Sequence, residues 1–198
     1  YTPYLIIWNV YKYKIERYFK FKIFEGKMYF SPVNNIIGIL SGGAITIYDL
    51  YGNEIRKIVT SLSATQFAWR PNGIHIAIAT ETQWFVIAHA LEDRRPIYRR
   101  YREHEEDFDE TYDVAWHPNG RRLVVGHKCG LTIHEMPLLK KVLHTDIPFH
   151  KYKCDPSLVY SPDGKYITAI IGNIDLFDSE TLEHLQDMTV NSIGELPP

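Results

Sequence analysis

Cysteine is scarce in this sequence. The chain has two, Cys129 and Cys154, too few for a disulfide framework and consistent with a reducing compartment such as the cytosol. Charge of one sign is also missing: 22 Lys and Arg stand against 24 Asp and Glu, a formal net charge of -2. Nucleic-acid binders carry a basic excess, so no nucleic-acid partner is expected. No apolar run approaches the roughly 20 residues of a membrane helix. The longest, Tyr4 to Trp8 and Tyr166 to Ile171, are strand-length, and no membrane partner is expected. The sequence starts on Tyr1 and shows no signal-peptide pattern. The expectation is an internal segment of a longer cytoplasmic polypeptide.

Catalytic signatures are missing too. There is no Gly-x-Ser-x-Gly elbow and no phosphate-cradling glycine loop. His127, Cys129, His134, His144, His150 and Cys154 match no zinc spacing, so core thiols and surface histidines are expected instead. Asp107, Asp109 and Glu110 cluster, but on a loop with no apolar wall to raise a carboxyl pKa. No catalytic residue, metal or cofactor is expected.

What is present is a repeat. Phe30-Ser31-Pro32, Trp69-Arg70-Pro71-Asn72-Gly73, Trp116-His117-Pro118-Asn119-Gly120 and Tyr160-Ser161-Pro162-Asp163-Gly164 recur, with steps of 39, 47 and 44 residues between prolines. Each is a turn with a mechanism: Pro presets φ, Asn or Asp follows, and Gly closes. The first copy, Ser31-Pro32-Val33-Asn34, lacks the glycine. A short run ending in an aromatic precedes each turn, and an apolar run follows it. A third strand and a more polar fourth complete each unit. Runs this short, rich in β-branched and aromatic residues, are strands. The middle strands are apolar on both faces, as a sheet sandwiched between neighbours requires. The fold class is therefore all-β: a β-propeller of four-stranded antiparallel blades. Its expected parts are a half blade over 1–22 and blades over about 23–60, 61–103, 111–145 and 152–188. Trp69, Trp116 and Tyr160 are expected to pack under the turns, and Trp84 in the core between blades.

These features resemble WD-repeat proteins. The third strands end in Trp8-Asn9, Tyr48-Asp49, His134-Glu135 and Phe177-Asp178, where that family places its Trp-Asp pair. No Gly-His pair precedes a first strand, and the aspartate usual between second and third strands is missing. Within the superfamily, residues 112–185 are similar to the axonemal cilia- and flagella-associated WD-repeat proteins. The similarity runs through His117 to Gly120, Leu123 to Gly126, Phe149 to Tyr152, Cys154, Ile171 to Ile174 and Thr181 to Glu183. The resemblance implies a non-enzymatic docking subunit of the cilium or flagellum, partnered by dynein-associated proteins or doublet microtubules. Alternatives are a scaffold in intraflagellar transport, vesicle coats or ribosome assembly, and a propeller enzyme.

One segment departs from the repeat. Residues 92–110 carry Arg94, Arg95, Arg99, Arg100 and Arg102, then Glu105, Glu106 and Asp107 among other acids. Loops on rigid scaffolds carry binding groups, and Arg suits bidentate contact with carboxylates, so these residues are candidate partner contacts. The alternative is a solvated loop whose charge blocks pair with each other. Half a blade at one end and a finished blade at the other leave open sheet edges. Further blades of the same polypeptide, closing a ring of seven, are expected to cover them.

Overall fold

A computed structural model describes residues 4–20, 26–82, 84–100, 111–127, 130–146, 157–171 and 173–188. β1 (Tyr4–Asn9) and β2 (Lys14–Lys20) form a two-stranded antiparallel sheet. Four four-stranded antiparallel sheets follow, each a meander in chain order. Blade 1 is β3 (Lys27–Phe30), β4 (Ile36–Ser41), β5 (Ala44–Asp49) and β6 (Glu54–Ile58). Blade 2 is β7 (Ala64–Trp69), β8 (His75–Thr80), β9 (Trp84–His89) and β10 (Ile97–Arg100). Blade 3 is β11 (Thr111–Trp116), β12 (Arg122–His127), β13 (Gly130–Glu135) and β14 (Lys140–Asp146). Blade 4 is β15 (Ser157–Tyr160), β16 (Tyr166–Ile171), β17 (Asn173–Asp178) and β18 (His184–Met188). Among the described residues there is no helix.

Successive sheets pack face to face, and strand periodicity shows how. In β8, Ile76 and Ile78 join Ile45, Ile47 and Phe67 in the core between blades 1 and 2. The alternate residues Ala77 and Ala79 join Phe85, Trp116 and Leu123 between blades 2 and 3. Side chains alternate across a strand, so one apolar run feeds two cores. Val124, Leu131, Leu158, Ile167 and Phe177 fill the seam between blades 3 and 4. Leu5 and Ile7 of β1 pack on Ile37 and Ile39 of blade 1. The outer strands β6 and β14 are mostly exposed, which accounts for their polar sequences.

The proline turns interlock. Gly73, Gly120 and Gly164 donate N–H to the carbonyls of Arg70, His117 and Ser161 at 2.8, 2.8 and 2.9 Å. Asn72, Asn119 and Asp163 each accept the N–H two residues on. All three glycines have positive φ, from 67° to 77°, a conformation costly for other residues. Gly73 also lies against the preceding blade's turn, where a Cβ would stand 2.3 Å from Val33 Cγ2. At Gly164 it would stand 2.4 Å from His117 Nε2. Turn rests on turn along the arc.

The residue ending the third strand has a recurring task. Asn9 Oδ1 accepts the N–H groups of Tyr11 and Lys12. Asp49 Oδ1 accepts those of Tyr51 and Asn53, and Asp178 Oδ1 those of Glu180 and Thr181. In blade 2 the same place is taken by His89, whose Nδ1 accepts the N–H groups of Leu91 and Glu92 at 3.3 and 2.9 Å. This fixes its tautomer, with the proton on Nε2. The sequence pattern missed His89 because imidazole resembles neither Asp nor Asn, although its Nδ1 can accept as they do.

Arg56 of β6 spans a seam. Its guanidinium donates to the main-chain carbonyls of His89, at 2.6 Å, and Glu92, and to Asp93 Oδ1 at 3.1 Å. The exposed Asp93 adds little, but the two carbonyls would lose a charged donor. Arg56→Ala is expected to lower stability by about 2 kcal/mol, read as a shift of the urea midpoint. A shift near zero would mean that water replaces the guanidinium freely.

Candidate interaction surface

The innermost strands of the blades wall a cavity of about 570 Å³. Its lining includes Phe30, Trp69, Trp116 and Tyr160, with Pro32, Pro71, Pro118 and Pro162 at the turns. Trp69, Trp116 and Tyr160 are buried, whereas Phe30 is exposed. They are held from neighbouring blades. Trp69 Nε1 donates to Tyr29 O at 3.0 Å. The Arg70 guanidinium stands 5.2 Å from the centre of the Trp116 ring while its Nε donates to Gly120 O. The His117 and Tyr160 rings meet edge to face at 5.1 Å. The aromatic position therefore packs beneath the turns. Trp84, expected in the core between blades, is half-buried at the start of β9.

Polar groups tie the innermost strands together. Lys27 Nζ donates to Thr65 O at 3.3 Å, and Thr65 Oγ1 to Thr111 O at 3.3 Å. Tyr29 OH donates to Gln66 Oε1 at 3.1 Å. Asp113 is the most consequential. It is almost fully buried, with Oδ1 accepting from Val114 N and Oδ2 from Leu158 N of the next blade, both at 2.7 Å. Burial pushes its carboxyl up to about 6, against the pull of those two N–H groups and of Lys27. It is a seam-bridging acceptor, and it was not legible from the sequence. The signal was available: Lys27, Gln66, Asp113 and Ser157 each stand three residues before the turn aromatic.

The histidines need correction. His127 and His134 are buried rather than on a blade surface, because β12 and β13 are central strands covered on both faces. His134 Nδ1 bonds the Leu139 carbonyl and Nε2 the Thr132 hydroxyl, both at 3.2 Å, and its ring meets Phe85 at 4.7 Å. The Leu139 carbonyl only accepts, so Nδ1 carries the proton. Burial pushes this imidazole down to about 4. Cys129, His150 and Cys154 lie outside the described residues. Among the described residues no three His, Cys, Asp or Glu side chains converge as metal ligands.

In the arginine segment, Arg94 and Arg95 are exposed between β9 and β10, and Arg94 pairs with Glu92. Arg99 is exposed on β10 and bonds Tyr98 O at 3.2 Å. Arg100 ends β10, its backbone opposite Trp84. Arg102, Glu105, Glu106 and Asp107 lie outside the described residues, as does the acidic cluster of Asp109 and Glu110. Among the described residues of the segment, Arg94 and Glu92 form the one pairing within the basic part.

This arrangement of meander sheets radiating from shared inner strands recurs in solved proteins. A chain of the mitotic checkpoint complex superposes with a TM-score of 0.70 at 18% identity, covering 96% of this chain and 61% of that one. The fold is a β-propeller. A second neighbour, dihydro-heme d1 dehydrogenase NirN, superposes with a TM-score of 0.70 at 15% identity, covering 95% of this chain and 42% of that one. The chain thus spans less than two thirds of either propeller protein. No family model and no curated protein matches the sequence. One neighbour is part of a complex and the other is a dehydrogenase, so the shared propeller leaves function to particular sites.

Proposed function

We propose that this protein is a non-catalytic docking scaffold of a large assembly, and specifically a subunit of the ciliary or flagellar axoneme. The observation that carries the scaffold reading is the aromatic- and proline-lined cavity on the inner strands, held rigid by hydrogen bonds across each seam. A preformed apolar recess with few polar groups suits a buried anchor side chain of a protein partner. Arg94, Arg95 and Arg99 are proposed as polar contacts for the same partner, together with Arg100, Arg102, Glu105, Glu106 and Asp107, which follow in the sequence. The axonemal form rests on the ordered motifs between Tyr112 and Leu185. At the two ends of the arc, Tyr4, Ile6 and Trp8 and, opposite, Val159, Tyr166 and Ile170 are exposed; further blades cover these faces in a closed ring.

The test is biochemical. The full-length protein is tagged in a ciliated cell, the cilia are isolated, and the membrane is stripped with detergent. The tag is expected to stay with the axoneme and to come off in high salt, as polar rim contacts would. Loss of the tag with the membrane and matrix fraction would sink the axonemal form and leave a scaffold of some other assembly.

A further inference from the structure

Basic residues are concentrated at one end of the sequence. Residues 1–22 hold Lys12, Lys14, Arg17, Lys20 and Lys22 against one acid, Glu16, a net +4. The whole chain stands at -2, which leaves the remainder at -6. Within this basic end one cation is preorganised. Arg17 lies opposite Ile7 in the β1–β2 register, and Ile7 packs on blade 1, so Arg17 faces that seam. Its guanidinium carbon stands 3.9 Å from the centre of the Tyr51 ring. Tyr51 is fixed in turn, because Asp49 holds the turn through three hydrogen bonds of 2.7 to 2.9 Å. The side-chain bond from Asn53 is the chief cause that keeps the Asp49 carboxyl below its usual range.

Beside the stacked pair opens a cavity of about 460 Å³ lined by Ile15, Glu16, Arg17, Tyr18, Leu50 and Tyr51. Stacking uses the face of a guanidinium and leaves its N–H fork in the plane for a carboxylate. Among the described residues, no carboxylate pairs with Arg17. The one acid in the wall, Glu16, is bonded by Asn9 Nδ2 at 3.0 Å.

We propose that this cleft docks an acidic segment of a partner protein. One carboxylate of the segment forks onto Arg17, and an adjacent apolar side chain rests on Ile15 and Leu50. The local excess of Lys and Arg selects an acidic partner, and the apolar wall selects a peptide over a bare polyanion. The site lies on the seam between the half blade and blade 1, away from the inner cavity, and stands or falls separately from the axonemal reading.

The experiment titrates the full-length protein into a fluorescein-labelled peptide of alternating Glu and Leu and follows anisotropy. The same peptide with Gln for Glu and an oligothymidylate of equal charge serve as comparators. The acidic peptide is expected to bind best and to weaken as salt rises. Arg17→Gln is expected to weaken it about tenfold or more, and Arg17→Lys nearly as much, because lysine lacks the planar fork. Glu16→Gln is expected to tighten binding, and Arg121→Gln, an exposed arginine on blade 3, to leave it unchanged. Tyr51→Ser removes the stacking partner from an exposed turn and is expected to weaken binding with Arg17 still present. Equal losses for Arg17→Gln and Arg121→Gln would overturn the proposal. So would tighter binding of the oligothymidylate, or equal binding of the Gln peptide. A concentration-dependent dimer that Arg17→Gln abolishes would assign the cleft to a second copy of this chain instead.

Discussion

Replacing Asp113 by asparagine is expected to make stability rise more steeply with pH between about pH 4 and 6, because it removes the group that opposes a buried histidine. Two buried groups act in opposite directions. Asp113 has its folded pKa raised to about 6, so the folded state keeps a proton that the unfolded chain releases near 4. That stability is fully present at low pH and is lost as pH climbs through 6. His134 has its folded pKa depressed to about 4, so the unfolded state takes up a proton first on acidification. Its stabilisation is complete above the ordinary imidazole range and is lost as pH falls towards 4. Each is worth roughly 3 kcal/mol, and over the shared window these two slopes oppose each other. In Asp113→Asn the buried histidines are left unopposed, His75 included, whose imidazole burial also lowers, and the urea midpoint is expected to climb more steeply than in the wild type from pH 4 to 6.5. His134→Gln is expected to lessen that rise. Asp113→Asn also lowers stability at every pH, because an amide NH₂ must face one of the two N–H groups that the carboxylate accepts. Parallel profiles for wild type and Asp113→Asn would show that Asp113 does not titrate in this window.

The second large effect concerns packing. Phe67 is fully buried, with its ring against Gly38 of the preceding blade, where a Cβ would lie 2.8 Å from Phe67 Cε2 and Cζ. Tyr29 meets it edge to face at 5.1 Å. Phe67→Ala is expected to cost about 4 kcal/mol through lost burial and the void it leaves. Gly38→Ala alone is expected to cost about 1–3 kcal/mol by overpacking. Together they should cost less than the sum, since the added methyl enters the space the ring vacates. Strict additivity in a denaturation series would mean that the two sites relax independently.

Both residues show how far the sequence could be read. The blades were legible because each layer of information agreed. Pro-Asn-Gly fixed the turns, aromatics marked the innermost strands, and runs such as Ile76 to Ala79 were apolar on both faces, as a sheet covered on both sides must be. The seams were not legible. Gly38 reads as an interruption in a strand until Phe67 is placed on it. Asp113 reads as a solvated acid until Leu158 N arrives from 45 residues away. His127 and His134 were read as surface residues because composition makes histidine ambiguous. Burial of a neutral ring depends on partners such as the Leu139 carbonyl, which no spacing rule identifies. The arginines were visible as a departure from the repeat, but which of them faces a partner depends on side-chain placement rather than on charge count.

The bonds that tie one innermost strand to the next have an evolutionary implication. Lys27 reaches the Thr65 carbonyl, Gln66 takes the Tyr29 hydroxyl, and Asp113 takes Leu158 N. The blades share one outline, but each joint carries its own lock and key. A chimaera with two blades exchanged would keep every turn and every apolar stripe, yet part the Tyr29 hydroxyl from Gln66 and Gly38 from the Phe67 ring. Blade order is thus written into the joints, and the repeats, though built alike, are no longer interchangeable parts.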